Sequence, residues 1–181
     1  MAGELLLSGW SAVKTLRRFR QEQERERAEL IAGKALAEHH ASPYAAQLAR
    51  TAEALGVPSQ EVEAVVQEWM FTRPKKWIRR FLNTGLLQEI RAFKAKGGKT
   101  ALVSDYPARV KVEALGAPDL FDEIVANGEQ NGPRRLKPDP EGYLRAAELL
   151  GVDPTRCLVV GDRDDADGAA ARAAKMGFRL V

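Results

Sequence analysis

Four aspartates fall within six residues, Asp162 to Asp167, in a run that reads Gly161-Asp162-Arg163-Asp164-Asp165-Ala166-Asp167-Gly168. Carboxylates crowded onto one loop repel each other unless a cation sits among them, and a hard cation with oxygen ligands, such as Mg2+, is the usual solution. Two other residues have chemistry that suits the same site. Ser104 ends the apolar run Thr100-Ala101-Leu102-Val103, and Lys137 stands in Leu136-Lys137-Pro138-Asp139-Pro140. A hydroxyl donates one hydrogen bond and an ammonium supplies a compact positive charge, so the pair matches the oxygens of a phosphoryl group. The plain alternatives are a solvated acidic turn, a serine that caps the next helix, and a surface lysine.

The elements that must carry these residues change character near Thr84. From Met1 to about Leu82 the pattern is helical only. Residues 4–37 are dense in Arg, Glu, Gln and Ala, and Pro43–Leu55 closes at Gly56. Ser59 is placed to cap a third helix, with Val62, Val65, Val66, Trp69 and Met70 on one apolar stripe that Pro74 ends. After Thr84 helix and strand alternate. Leu86, Ile90 and Phe93 give a helical face that stops at Gly97-Gly98. Residues 100–104 form an apolar run that suits a parallel strand covered on both faces.

A helix at about 107–115 follows, then the strand Ile124-Val125-Ala126. Asp139 is placed to cap a helix that has Pro140 at its first position. A strand at 157–160, an alanine-rich helix at 168–175 and a last strand at 178–181 complete the series. This alternation implies an α/β architecture, a parallel sheet with helices on both faces. In such sheets ligands bind beyond the carboxyl ends of the strands, where Ser104 and the aspartate loop lie. The division expected is a helical unit at 1–83 and an α/β unit at 84–181.

Taken together, Ser104 at a strand end, Lys137 in Leu-Lys-Pro-Asp-Pro, and Gly161-Asp162 followed by Asp167 resemble motifs II, III and IV of the haloacid dehalogenase-like superfamily. Order and spacing agree over about 85 residues. The resemblance implies a Rossmann-like three-layer core with a helical cap, and Mg2+-dependent hydrolysis of a small phosphorylated metabolite. It implies that Ser104 and Lys137 bind the transferring phosphoryl group, while Asp162, helped by Asp167, holds the metal. Dehalogenase and mutase chemistry share the same core.

The family's nucleophile, in an Asp-x-Asp pair on a first strand, has no match, because the first aspartate of the chain is Asp105. In the family's sheet that strand lies between those matching 100–104 and 157–160. Its loss leaves a slot of roughly two strand spacings, about 10 Å. The expectations are therefore a chain that begins inside a longer protein or, alternatively, a catalytically dead relative that holds a phosphate-bearing ligand or a protein partner. The Leu5-Leu6-Leu7 run carries no carboxylate and reads as the start of a helix.

Bulk properties narrow the class further. A hydrophobic fraction of 45% with 29% charged residues fits a globular protein, and no run approaches the roughly 18 apolar residues of a membrane span. The expected location is the cytoplasm. A single cysteine, Cys157, excludes an internal disulfide, and its apolar neighbours predict a buried small hydrophobe. A net charge of +3 is too small to imply a nucleic-acid partner. The basic clusters Lys14-Arg17-Arg18-Arg20 and Lys75-Lys76-Arg79-Arg80, the latter interleaved with Trp77 and Phe81, read as solvated faces. So does the stretch in which Glu22, Glu24, Glu26 and Glu29 alternate with Arg25 and Arg27. His39 and His40 read as surface residues.

Overall fold

The computed structural model describes residues 9–33, 40–78, Arg80 and 82–181. The Leu5-Leu6-Leu7 run, His39, Arg79 and Phe81 lie outside the described residues. The first half is helical: α1 (Gly9–Ile31), α2 (Pro43–Leu55), α3 (Ser59–Val66) and α4 (Lys75–Ile78). Local signals set the ends of α2. Ser42 accepts a hydrogen bond from the Ala45 amide through its side chain, and Gly56 closes the helix in the left-handed region at φ 65°.

Ser59 does not cap α3; Pro58 holds that position without a side-chain hydrogen bond. After Val66 the helix widens into a π-helical turn, Gln67–Thr72. The wider turn moves the apolar stripe by one residue. Phe71 is buried as a result, and Trp69 and Met70, expected on the stripe, stay half-exposed. Phe19, Tyr44, Leu48, Ala52, Val62, Val66 and Phe71 form one apolar cluster. Tyr106 and Val110 from the second half pack against it.

The buried face of α1 changes its chemistry along the helix. Ala12, Thr15 and Phe19 are buried, and so, continuing the same stripe, are Glu22, Gln23, Glu26 and Arg27. The expectation of a solvated face is thus overturned for Glu22, Glu26 and Arg27. Helical spacing carries them inward whatever their charge; Arg27 there meets groups from distant parts of the chain, and Glu22 pairs with Arg18 on the same helix.

The second half contains α5 (Thr84–Ala95), β1 (Ala101–Ser104), α6 (Arg109–Leu115), β2 (Glu123–Ala126), α7 (Glu141–Leu150), β3 (Leu158–Gly161), α8 (Ala169–Ala173) and β4 (Gly177–Leu180). β1 pairs in parallel with β2, and β3 in parallel with β4. Among the described residues no pairing joins these two pairs, so the sheet is present as two separate two-stranded pieces. The break falls between β1 and β3, where the family's additional strand was expected.

Strands with one open edge are less covered than the sequence suggests. All four residues of β1 are half-exposed, against the expectation of a strand covered on both faces. Leu158 of β3 is 59% exposed, and Cys157 is only partly buried. The apolar face of α5 is likewise left open, with Phe93 55% exposed. Across the break, Val103 of β1 packs against the cluster that holds Val159 of β3, Tyr143 and Ala147 of α7, and Ala170 and Ala171 of α8. Helix α7 therefore spans both pieces.

Candidate functional site

The three segments singled out by their chemistry converge through a chain of contacts at the carboxyl ends of β1 and β3. Ser104 is the last residue of β1, and its side-chain oxygen accepts the Tyr106 amide at 3.1 Å. That bond makes a local turn and leaves the hydroxyl proton available to donate. Ser104 does not cap the following helix, whose cap position is Ala108. Asp105, next in the chain, accepts the backbone N–H of Lys137 at 3.3 Å. The Lys137 ammonium reaches Asp167 Oδ1 at 2.7 Å, and the Tyr143 hydroxyl donates to the same oxygen at 2.9 Å.

Asp167 in turn lies over the end of β3. A Cβ placed on Gly161 would stand 2.7 Å from both Cβ and Oδ2 of Asp167. Only glycine admits the aspartate so close to the strand tip that delivers Asp162. The aspartate loop itself forms a π-helical turn, Asp164–Gly168, in which Asp167 is buried. Asp164 pairs with Arg172, and Asp165 with Arg163. Asp162 is exposed and makes no hydrogen bond or ion pair among the described residues.

Electrostatics follow from these contacts. Burial pushes the Asp167 carboxyl upward, but the hydrogen bond and charge of Lys137, with help from Tyr143 and the Arg163 amide, hold it below its ordinary value. Burial and the neighbouring Asp167 charge push the Tyr143 phenol well above its ordinary value. Tyr143 therefore stays protonated and serves Asp167 as a donor.

The donor set suits a hard cation in kind. Asp162 and Asp167 offer carboxylate oxygens, and Mg2+ commonly takes one or two carboxylates and keeps several waters. Among the described residues no group of three or more metal-capable side chains is assembled. Two carboxylates with water and phosphoryl oxygens are what the site can contribute.

The site also contains residues that the sequence did not single out. Arg27, on α1, donates from Nε to the Lys137 carbonyl at 2.8 Å and from Nη2 to Asp105 Oδ2 at 2.9 Å. Gln23, one turn earlier, donates to the Asp105 carbonyl at 3.4 Å and accepts the Tyr106 hydroxyl at 2.6 Å. Asn127, fully buried just past β2, donates to the Asp105 carbonyl at 3.3 Å and accepts the Tyr44 amide at 3.1 Å. A polar residue directly beyond an apolar strand was a readable signal for Asn127; nothing local marked Arg27 or Gln23. Asp139 accepts the Glu141 amide at 2.9 Å just before α7, but Pro140, expected at the first helical position, holds the cap position instead and the helix begins at Glu141.

Comparison with known proteins gives a consistent assignment. Residues 15–175 match the family model described as haloacid dehalogenase-like hydrolase. The chain is 37% identical over 92 residues to a phosphoglycolate phosphatase of Thiobacillus denitrificans, a match covering 50% of the chain and 39% of that relative. It is 41% identical over 59 residues to the N-acylneuraminate-9-phosphatase of Rattus norvegicus, covering 33% and 23%. Both matches span less than half of the relative's length. Among solved structures, L-2-haloacid dehalogenase from Xanthobacter autotrophicus with chloropropionic acid covalently bound aligns at a TM-score of 0.63 and 20% identity. That alignment covers 99% of this chain and 69% of the other, and at this identity it speaks for the fold.

Proposed function

The chain belongs to the haloacid dehalogenase-like hydrolases, and from that premise we propose that it forms the cap and most of the core of a Mg2+-dependent phosphatase acting on a small phosphorylated metabolite. The observation that carries this reading is the meeting of the Ser104-Asp105 turn, Lys137 and Asp167 at the ends of two parallel strands. Two relatives named as phosphatases support the reaction class.

In this reading Ser104 donates its hydroxyl proton to one phosphoryl oxygen. Lys137 has three N–H donors, of which Asp167 takes one, so the ammonium can serve a phosphoryl oxygen and Asp167 together. Both groups neutralise charge as it builds on the transferring phosphoryl. Asp162 and Asp167 would hold the metal, which supplies further positive charge to those oxygens. Tyr143 keeps Asp167 ionised and oriented. Phosphoryl transfer in this scheme needs a carboxylate nucleophile, and no aspartate precedes Asp105. Asp105 itself is engaged by Arg27 and the Lys137 amide.

We therefore expect this 181-residue chain to hold phosphate without turning a phosphoester over. This is also what a catalytically dead, ligand-binding relative would do. The test is calorimetric titration of inorganic phosphate with Mg2+, beside a turnover assay with p-nitrophenyl phosphate. Saturable binding that Lys137→Ala weakens, with no turnover above blank, is the expected result. Absence of saturable phosphate binding to the folded chain would overturn the proposal, and sustained Mg2+-dependent turnover would overturn the missing-nucleophile part of it.

A further inference from the structure

Three residues from distant parts of the chain close a ring around one backbone unit. The Lys137 N–H donates to Asp105 Oδ1 at 3.3 Å. Asp105 Oδ2 accepts Arg27 Nη2 at 2.9 Å, and Arg27 Nε donates to the Lys137 carbonyl at 2.8 Å. Lys137 is thus gripped at both its amide and its carbonyl, by a carboxylate and a guanidinium that also pair with each other. The Arg27 and Asp105 side chains are only 8% and 11% exposed, so water does little to weaken the ring.

From this geometry we infer that Arg27 and Asp105 are positioning residues for Lys137, and that α1 sets the aim of the ammonium through its hold on the lysine backbone. The planar guanidinium is what makes this feasible, because its donors leave in fixed directions and can reach a carbonyl and a carboxylate together. Arg27 has a third contact through Nη1, to Glu24 Oε1 at 2.5 Å on its own helix. Each of its three nitrogens thus holds a neighbour, so three of its five N–H donors are engaged in fixing the surroundings. Lys137 alone points its charge at Asp167 and the strand tips. A movement of α1 relative to the β1 tip opens the ring and releases the lysine backbone.

The inference rests on the phosphate reading for its consequence but not for its geometry, and two measurements separate the two. The first is hydrogen exchange at the Lys137 amide, followed by NMR. The amide is expected to be protected in the parent and to lose protection in Arg27→Lys, which keeps the charge but lacks the fork, and in Asp105→Ala, which opens the ring at another bond. Protection elsewhere in α2 and β2 reports that each variant is folded. The second is phosphate affinity by calorimetry. Arg27→Lys is expected to weaken binding by roughly 10–100-fold, the usual cost of removing a group that orients a ligand-holding residue.

In a Lys137→Ala background the same substitution should cost nothing further, since the effect travels through Lys137. An unchanged Lys137 amide in both ring variants, parent-like phosphate affinity in Arg27→Lys, or losses that multiply in the double variant would each overturn the proposal. Loss of amide protection in the two ring variants, measured against a parent that protects the amide but binds no phosphate, would leave the ring standing and refute the phosphate reading instead.

Discussion

Glu26 offers the most direct test of the buried polar stripe on α1. Its side chain is 2% exposed, and Oε2 finds no hydrogen-bond partner. Burial raises its pKa from 4.5 to about 7, with Glu29 and Asp105 adding to the rise and Arg50 opposing it. The folded state therefore keeps a proton between pH 4.5 and 7 that the unfolded state has released. Stability falls wherever the folded state binds more protons, so it should decline as pH rises through this window. A rise from 4.5 to about 7, at about 1.4 kcal/mol per pH unit, sets the full loss at about 3.5 kcal/mol above pH 7. Glu26→Gln removes the titrating group and should flatten the curve. Urea unfolding of parent and variant from pH 5 to 8 at constant ionic strength gives the difference directly. The Asp167 and Asp122 carboxyls, both held below their ordinary values, titrate in more acid solution and do not enter the window. Parallel stability curves for parent and Glu26→Gln across this range would refute the reasoning.

Two further substitutions probe the strand-tip cluster. Gly161→Ala places a methyl group 2.7 Å from Asp167 and should cost about 1–3 kcal/mol of stability by overpacking. It should also weaken phosphate binding, because Asp167 carries Lys137 with it; unfolding and calorimetric titration of the same preparation check both. Tyr143→Phe removes a hydrogen bond to an ionised carboxylate and should cost about 1.5–3 kcal/mol at neutral pH. The pKa of Asp167 is depressed in the folded state, so its stabilisation exists above the unfolded value of 3.8 and disappears as pH falls through the folded one. The penalty of Tyr143→Phe should therefore shrink in strong acid, and a penalty independent of pH would contradict the Tyr143–Asp167 bond as its source.

What the sequence disclosed depended on whether the governing interaction was local. The ends of α2 were readable because Ser42, Pro43 and Gly56 act on their own turns. The positions of Ser104 and Asp162 were readable because strand ends follow from short apolar runs. The inward turn of Glu22, Glu26 and Arg27 was not readable, since a charged run gives no local sign of which face is covered; Arg27's partners at Asp105 and Lys137 are tertiary, while Glu22 pairs with Arg18 on its own helix. Arg27 meets a carboxylate 78 positions away and a carbonyl 110 positions away. The burial of Phe71 in place of Trp69 and Met70 was equally hidden, because a π-helical turn shifts the helical phase by one residue. For β1 and β3, the reading of apolar runs as fully covered strands assumes neighbours on both edges. Here each strand has one.

That open edge explains where the site gets its character. Among the described residues no backbone ladder joins β1 to β3, and side chains link the two pieces of sheet. One junction is apolar, with Val103 against the cluster of Tyr143 and Val159. Another is ionic, with Lys137 held against Asp105 beyond β1 and paired with Asp167 beyond β3. A five-residue strand paired on both sides would supply on the order of ten hydrogen bonds at about 1 kcal/mol each, whereas the ion pair supplies far less and must remain free to exchange partners. A phosphate bound by Ser104 and Lys137 would act on this same seam. Because it would bind only the folded arrangement, it would stabilise the junction by mass action. On the proposed reading, ligand binding and cohesion of the core would therefore be coupled, because Lys137, which would hold the phosphate, also bridges the gap between the two pieces of sheet.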